Sequence, residues 1–225
     1  MKLLPVIAIA ASMASTAVAS SYLAEFGSYS PGPIQGQEGW KQSYGDEALA
    51  SIVTRPSPGQ ERILELGSTA STGVRIIRPL NGLVGADRQI SYDVKADELG
   101  DSAATAFATH INFNNGSPKF VVSFSSSGVL TLFDGAEKLK TGVTIVAGQW
   151  YRIAMILSDD GESLAFELRE LPGDTVLYRQ SNLGFADGVR EVATAYHDFR
   201  LLTTAGSNKW SLARLAVKAP GEDLP

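Results

Sequence analysis

Hydrophobic and polar residues alternate with a period of two over many short stretches of the chain, most clearly over residues 148–157. A Gly-Gln pair opens this stretch, bulky side chains alternate through it, and Asp159-Asp160-Gly161 follows as a turn sequence. Residues 163–170 alternate again. The segment therefore predicts a β-hairpin with one buried face, which we place at the centre of an all-β sandwich.

Further alternating stretches recur at close spacing and are separated by Gly, Asn, Asp and Pro. Asn114-Asn115-Gly116 and Asp134-Gly135 are typical hairpin turns. We find no convincing long amphipathic helix and no internal repeat. Many short strands with such turns predict an antiparallel β-sandwich or jelly roll. The predicted strands cover residues 22–26, 48–54, 61–66, 73–79, 89–95, 106–112, 119–125, 129–133, 148–157, 163–170, 175–180, 196–203 and 210–218.

The strand at 106–112 predicts where a site would lie. Phe107, Thr109 and Ile111 share one face and require burial, so His110 and Asn112 must point away from the core. Small Ala residues on the outward face leave room for a flat ligand, although the same pattern suits a merely solvated sheet. The predicted core residues are Phe107, Ile111, Phe124, Ile153, Leu157, Phe166 and Leu215.

The amino terminus has the three parts of a secretory signal peptide. Lys2 precedes an apolar run at 5–13, and Ala17-Val18-Ala19 ends the segment. The alternative is a buried N-terminal helix, but the apolar run is shorter than the roughly 20 residues of a membrane span. We expect a signal peptide at 1–19, one β-sandwich domain at 20–220 and a short polar tail at 221–225. The protein is then secreted, extracellular or periplasmic, without a membrane anchor.

The amino-acid composition excludes some kinds of active site and some kinds of partner. The chain has 225 residues and no cysteine, which excludes thiol catalysis and thiolate metal sites. The formal net charge is −5, and it becomes −6 once a leader with one Lys and no acid is removed. No run of Lys and Arg is present, so nucleic acid and anionic membranes are poor partners.

Three stretches, taken in their order along the chain, carry a family resemblance, since each motif alone is weak. They are Phe26-Gly27 through Pro31-Gly32-Pro33-Ile34 to Gly36-Gln37-Glu38-Gly39-Trp40, then residues 128–157 with Gln149-Trp150-Tyr151-Arg152, and the closing strand from Trp210 to Val217. Together they resemble the concanavalin A-like lectin/glucanase superfamily, in its laminin-G-like jelly-roll branch. The resemblance implies two curved antiparallel sheets with the first and last strands side by side.

Many members of this superfamily bind carbohydrate, and some are hydrolases or polysaccharide lyases. The resemblance therefore implies a secreted carbohydrate-binding or extracellular interaction module. The alternative is a polysaccharide lyase or hydrolase acting on an extracellular polysaccharide that contains uronate. The Glu-x-Asp-x-x-Glu motif of the superfamily's hydrolases is absent. Glu61 and Glu65 would share a strand face, but they equally fit a solvated edge.

Lyase chemistry requires a base and a group that neutralises the uronate carboxylate. Thr109-His110-Ile111 and Tyr178-Arg179-Gln180 loosely resemble strand motifs of jelly-roll alginate lyases, whereas residues 61–65 do not match the Arg-rich first motif. His110 is the candidate catalytic residue, and the alternative is a polar residue on a sheet face. The candidate ligand-binding residues are His110, Asn112, Arg75, Arg78 and Trp40.

Trp40 is a candidate because sugars present apolar C–H faces that stack on aromatic rings. It follows a Gly-rich loop and is expected to be exposed, whereas Trp150 and Trp210 open apolar strands and are expected in the core. We expect no cofactor except a structural calcium ion, which takes carboxylate and carbonyl oxygens from loops. The candidate ligands are Asp134, Asp159 and Asp160, although Asp is favoured at turns without any metal.

The leader yields a direct prediction. Signal peptidase should cleave after Ala19, because the Ala-x-Ala end marks the cleavage site. Intact-mass measurement of the exported protein should give an N-terminus at Ser20 or within a residue or two. Exported material that retains Met1 would contradict the secretory interpretation.

Overall fold

The computed structural model describes residues 22–57, 60–80, 89–100, 105–186 and 192–218. The predicted signal peptide at 1–19 and the predicted polar tail at 221–225 lie outside these residues. Within the described part of the chain the helices are single 3₁₀ turns, at Phe26–Ser28, Gln37–Gly39 and Glu47–Leu49, and no helix is long and apolar enough to cross a membrane.

Strands form almost all of the remaining regular structure, as the alternating pattern predicts. The strands, numbered in chain order, are β1 (Tyr22–Glu25), β2 (Gly32–Pro33), β3 (Lys41–Tyr44), β4 (Ala50–Ser57), β5 (Gln60–Gly67), β6 (Arg75–Pro79), β7 (Gln89–Glu98), β8 (Phe107–Phe113), β9 (Lys119–Phe124), β10 (Val129–Asp134), β11 (Glu137–Thr144), β12 (Trp150–Leu157), β13 (Leu164–Glu170), β14 (Thr175–Leu183), β15 (Tyr196–Thr203) and β16 (Lys209–Lys218).

The strands form two antiparallel sheets. A nine-stranded sheet has the order β14-β13-β12-β7-β16-β5-β4-β2, with β1 also paired to β16. A seven-stranded sheet has the order β11-β10-β9-β8-β15-β6-β3. The first and last strands are neighbours, with Tyr22 opposite Val217 and Glu25 opposite Arg214. This arrangement confirms both the predicted antiparallel sandwich and the predicted pairing of the chain's two ends.

The hairpin predicted at the centre of the fold is present as β12 and β13. Tyr151 lies opposite Glu170, and Leu157 lies opposite Leu164. The connecting turn closes with a hydrogen bond of 2.9 Å from the Ser158 amide to the Ser163 carbonyl. Gly161 has a φ of +70° there, which L-residues rarely adopt, and explains the glycine in the turn. The other side of β12 pairs with β7, so the hairpin is interior to the sheet.

The core lies between the two sheets and contains all seven predicted core residues, each at most 1 % exposed. Aromatic rings connect the sheets: Phe107 of β8 stacks on Trp210 of β16 with ring centroids 4.6 Å apart. Tyr92 of β7 donates a 2.8 Å hydrogen bond from its hydroxyl to Thr109 of β8, which satisfies both polar groups inside the core.

The structure adds strands that the alternating pattern did not predict. β11 is polar over most of its length and lies at the edge of the seven-stranded sheet, where it pairs with only one neighbouring strand. β7 continues to Glu98, beyond the predicted end at residue 95. Ser91 and Asp93 of this strand are buried, as is the residue between them, because β7 has a paired strand on each side.

Strand β12 provides a test of the core assignment with an internal control. Ile153 is fully buried and Ile156 is 43 % exposed on the opposite face. Ile153→Ala should lower the free energy of unfolding by about 2–5 kcal/mol, the range for a buried large-to-small change. Ile156→Ala should cost within about 0.5 kcal/mol, as at surface sites. Urea denaturation of both variants measures the difference, and equal costs would contradict the assignment.

Candidate functional site

The outward face of the seven-stranded sheet carries the candidate site. Phe107, Thr109, Ile111 and Phe113 of β8 are buried against the nine-stranded sheet. His110 is only partly buried, and its side chain lines a groove on the opposite face. The predicted division of β8 into a core face and an outward face is therefore confirmed.

The register of the seven strands sets side chains in rows that cross the sheet. Row 1 runs Lys140, Thr131, Ser123, Ala108, Leu202, Arg75 and Tyr44. Row 2 runs Val121, His110, Arg200, Ile77 and Lys41, and the pair of Phe133 with Lys138 continues it towards the β11 edge. Row 3 runs Lys119, Asn112, Asp198 and Pro79.

A groove of about 630 Å³ lies over β8, β9 and β10. Its floor is made of small side chains, which is why the sheet has a depression there rather than a flat surface. Lysines form the side of the groove nearest the sheet edge. The lining residues are Thr105, Ala108, His110, Lys119, Val121, Ser123, Thr131, Phe133, Lys138, Lys140, Ala186, Leu202 and Thr204.

Positive charge dominates this face. Among the described residues that share the face with His110, one is an acid, Asp198, and six are basic: Lys41, Arg75, Lys119, Lys138, Lys140 and Arg200. This excess occurs in a chain whose net charge is −5. The face therefore concentrates cations that the overall composition does not reveal.

The outward face of the nine-stranded sheet is balanced instead. Arg152 contacts Asp93 at 2.7 Å, and Lys95 contacts Asp97 at 2.7 Å. Glu167 lies between Arg169 and Arg179 in the same way. Acids and bases on that sheet thus neutralise one another, and the two outward faces differ in electrostatic character.

Asp198 forms a buried network with its neighbours on β15 and β8, beside His110. Its carboxylate, 5 % exposed, accepts two hydrogen bonds from Arg200, at 2.7 and 2.9 Å. It also accepts one at 2.6 Å from the Asn112 amide. The carboxylate raises the pKa of Arg200 through these hydrogen bonds. Asn112 is thus a buried donor to Asp198, and its side chain does not line the groove.

His110 is held neutral. Burial, together with the nearby positive charges of Arg200, Lys119 and Arg75, lowers its pKa to about 4 against the opposite effect of Asp198. A neutral imidazole can accept a hydrogen bond at one nitrogen and donate one from the other. His110 is thus suited to hydrogen bonding with a ligand hydroxyl, whereas a pKa this far below neutral makes it a weak base.

Arg75 and Arg78 are both on β6, but they point to opposite faces. Arg75 is exposed in row 1 and donates a 3.0 Å hydrogen bond to Ser43. Arg78 lies on the core side, where it donates a 2.7 Å hydrogen bond to the Tyr22 hydroxyl and covers the Tyr22 ring at 4.5 Å. Arg78 therefore fastens the first strand and is separated from the His110 face by the sheet.

The expectation that Trp40 is exposed is wrong. Trp40 is fully buried and packs on Phe26, with ring centroids 6.3 Å apart. The Gly-rich segment before it wraps the chain onto the core instead of leaving it in solvent. Trp210 is buried as expected, whereas Trp150 is partly exposed and lies under the Lys95 ammonium at 5.1 Å.

The residues suggested for lyase chemistry are not all brought together. Tyr178 and Gln180 are on β14, at the edge of the nine-stranded sheet, and Tyr178 packs against the core. His110 is on the other sheet. Glu65 pairs with Arg55 at 3.1 Å and with Lys209 at 3.4 Å, which fits the structural alternative for that carboxylate.

The three candidate calcium ligands lie in turns. The Asp134 carboxylate accepts a 2.8 Å hydrogen bond from the Gly184 amide. Asp160 accepts from the Ser158 hydroxyl at 2.6 Å and the Glu162 amide at 3.0 Å, and these bonds lower the pKa of Asp160. Asp159 precedes it in the same turn. Across the described ranges, no group of three or more His, Asp or Glu side chains is arranged to hold a metal ion.

Four of the residues that give this face its charge were not predicted from the sequence: Lys119, Lys138, Lys140 and Arg200. They belong to three strands, β9, β11 and β15, and only Lys138 and Lys140 are close in sequence, so no local cluster of basic residues indicates the face. One signal was available, because Lys138 and Lys140 are two residues apart and must share a strand face. That signal required β11 to be recognised as a strand.

No family model matches the sequence, and no curated protein matches it. Solved structures do match. A winged bean acidic lectin complexed with methyl-α-D-galactose aligns over 88 % of this chain and 98 % of its own, with a TM-score of 0.55 and 12 % identity. The catalytic domain of a glycoside hydrolase family 131 protein from Coprinopsis cinerea aligns over 88 % and 93 %, with a TM-score of 0.59 and 9 % identity.

The carbohydrate esterase vb_24B_21 from the Shiga toxin-encoding bacteriophage phi24B also matches, over 87 % of this chain and 98 % of its own, with a TM-score of 0.52 and 15 % identity. These similarities in structure establish the fold. The chain has the concanavalin A-like jelly-roll fold that its sequence resembles.

The low pKa of His110 predicts a pH dependence of stability. The unfolded chain binds a proton on this residue near pH 6.5, whereas the folded protein does so only near pH 4. Between these values the unfolded state holds more protons, so stability should fall as the pH drops from 6.5 towards 4. The His110 contribution to that loss is up to about 3 kcal/mol.

Urea denaturation at pH 7 and at pH 4.5, for the native protein and for His110→Gln, measures this contribution. Glutamine keeps a polar side chain of similar size but does not titrate. The variant should lose less stability on acidification than the native protein. Identical losses in both proteins would contradict the depressed pKa.

Proposed function

We propose that the protein is an exported carbohydrate-binding protein whose ligand occupies the groove on the seven-stranded sheet. The observation that carries this proposal is the groove itself, about 630 Å³ in volume, with a floor of small side chains and a rim of hydrogen-bonding groups. Ligand sites combine such concavity with a few fixed polar groups. His110 and Ser123 supply the hydrogen-bonding groups of the floor, and the lysines supply those of the rim.

The known proteins of the same fold support the choice of ligand. Those that match include a lectin bound to a galactoside, a glycoside hydrolase and a carbohydrate esterase. Fold alone does not determine function. It is the open groove on the sheet face that favours a sugar chain in this protein. Export follows from the predicted signal peptide and places the protein outside the cytoplasm, where extracellular polysaccharides are found.

Polysaccharide lyase activity is the second candidate, and the position of His110 beside Lys119 in the groove favours it. In such a reaction a base removes the proton next to the uronate carboxylate, and the electron pair forms a C=C bond as the glycosidic oxygen leaves. His110 would accept the proton as a weak base and pass it to the leaving oxygen. Lys119 would stabilise the negative charge on the carboxylate, since Arg200 is paired with Asp198. Tyr178 lies on the other sheet and takes no part in this arrangement.

The groove can be blocked without disturbing the core. Thr131 is a half-buried groove residue on β10, and a tyrosine there should fill the groove. Thr131→Tyr should weaken glycan binding at least about tenfold, because the tyrosine ring would occupy the space that the ligand needs. Ala165→Tyr is the matched control, because Ala165 is also half-buried and lines a groove on the nine-stranded sheet.

Glycan-array binding followed by calorimetry on the strongest ligand tests both variants. Equal binding by Thr131→Tyr and the native protein, with unchanged melting temperatures, would overturn the groove as the site. The same array material, assayed for unsaturated uronate product with native protein and His110→Ala, separates the two candidate functions. Turnover that disappears in His110→Ala supports the lyase, and binding without turnover supports the binding protein.

A further inference from the structure

The cations of the seven-stranded sheet fall into two clusters on opposite sides of the sheet. The groove cluster consists of Lys119, Lys138 and Lys140, which line the groove. The far cluster consists of Lys41 on β3 and Arg75 on β6. Neither cluster forms an ion pair with an acid among the described residues, whereas Arg200 between them is paired with Asp198. The unneutralised charge therefore lies on either side of the Asp198–Arg200 pair on β15, with Lys119 on β9 as the member of the groove cluster nearest to that pair.

The sheet topology fixes the separation of the clusters. Lys140 begins row 1 and Arg75 is its last cation, on strands that are five positions apart in the order β11-β10-β9-β8-β15-β6. Neighbouring strands are about 4.8 Å apart, so the two backbones are about 24 Å apart. Lys138 and Lys41 end row 2 at about 29 Å by the same spacing. A ligand that meets both clusters must be extended and must lie across the strands.

The stretch between the clusters suits an uncharged part of such a ligand. His110 is neutral, and the Asp198–Arg200 pair carries no net charge. Ala108 and Ser123 are small and keep the path low. Leu202 and Ile77 supply apolar surface beyond them on the same face. This alternation of a charged side, a neutral middle and a second charged side matches a chain of sugar rings whose acidic groups are spaced along it.

We infer that the ligand is an acidic polysaccharide that lies across the strands, with its carboxylate or sulfate groups on the groove cluster and on the far cluster. This inference rests on the proposed carbohydrate-binding function and adds the chemical class, the length and the direction of the ligand. Lysine ammonium groups and the Arg75 guanidinium are the groups that bind such anions.

A single-stranded nucleic acid is the other extended polyanion to consider. Proteins that bind it stack successive bases on aromatic side chains. Of the described residues on this face, Phe133 and Tyr44 are aromatic, and they lie on opposite sides of the sheet, on β10 and β3. They provide no continuous stacking surface. The small, hydrogen-bonding middle of the face favours sugar rings over bases.

The test measures binding of oligouronates from dimer to dodecamer, together with a matched polymer whose carboxylates have been reduced to alcohols. The native protein is compared with Lys138→Gln/Lys140→Gln and with Lys41→Gln/Arg75→Gln. Lys218→Gln, on the nine-stranded sheet, is the matched control for loss of one cation. Each double variant should bind long oligouronates about five- to tenfold more weakly, since exposed charge pairs contribute modestly.

Length gives the sharper readout. The affinity for short oligouronates should fall in the groove variant and stay unchanged in the far variant. A short chain held at Lys138 and Lys140 cannot reach across about 24 Å to Arg75. Long ones should be sensitive to both, and their affinity should fall steeply with added salt. The native protein and all variants should bind the carboxyl-reduced polymer weakly and with equal affinity.

Four outcomes would overturn the inference. Equal binding of the acidic and the reduced polymer would show that charge is not recognised, while leaving carbohydrate binding in the groove intact. Equal effects of the far variant on short and long ligands would remove the crosswise path. Preference for single-stranded DNA over every glycan would replace the ligand class. Failure to bind any glycan at all would overturn both this inference and the proposed function.

Discussion

The packing of the two sheets against each other decides every other feature of this protein. β8 must bury Phe107, Thr109, Ile111 and Phe113 against the nine-stranded sheet, and the stacking of Phe107 on Trp210 sets the relation of the two layers. A strand has a period of two, so this burial leaves no choice for the residues between them. His110 reaches the outward face because its neighbours in the chain are committed to the core.

This dependence explains how much of the fold can be predicted from the sequence. The strands with strong alternation are predicted correctly, because the alternation and the burial that causes it are both local in the sequence. β11 is missed, because an edge strand with Lys138 and Lys140 on one face has a weak alternation of apolar and polar residues. The buried strands are therefore predictable, whereas the edge strands are predicted unevenly: β14 was expected at 175–180 and β11 was not.

The candidate site was predictable only in part, for a related reason. The face that carries His110 follows from one strand, but the residues beside His110 come from the register between strands. Arg75 shares the face, whereas Arg78, three residues later on the same strand, lies on the core side and covers Tyr22. Trp40 is taken into the core by contacts with Phe26 that are distant from any local turn signal. The contacts that determine the positions of Arg78 and Trp40 join residues that are far apart in the sequence, so a local pattern does not reveal them.

The electrostatic asymmetry of the two sheets follows from how each sheet treats its acids. On the nine-stranded sheet, Asp93 and Glu167 are each paired with Arg, and a buried pair of this kind mainly avoids the cost of leaving one charge unpaired. On the seven-stranded sheet, Asp198 is paired with Arg200 and Asn112, and among the described residues of that face no other acid opposes the remaining cations. The buried network is rigid, while the lysines around the groove have long, mobile side chains. A rigid, uncharged floor flanked by mobile lysines can hold anions of varying spacing. The lysines remain unneutralised because Asp198 is paired with Arg200 on its own sheet.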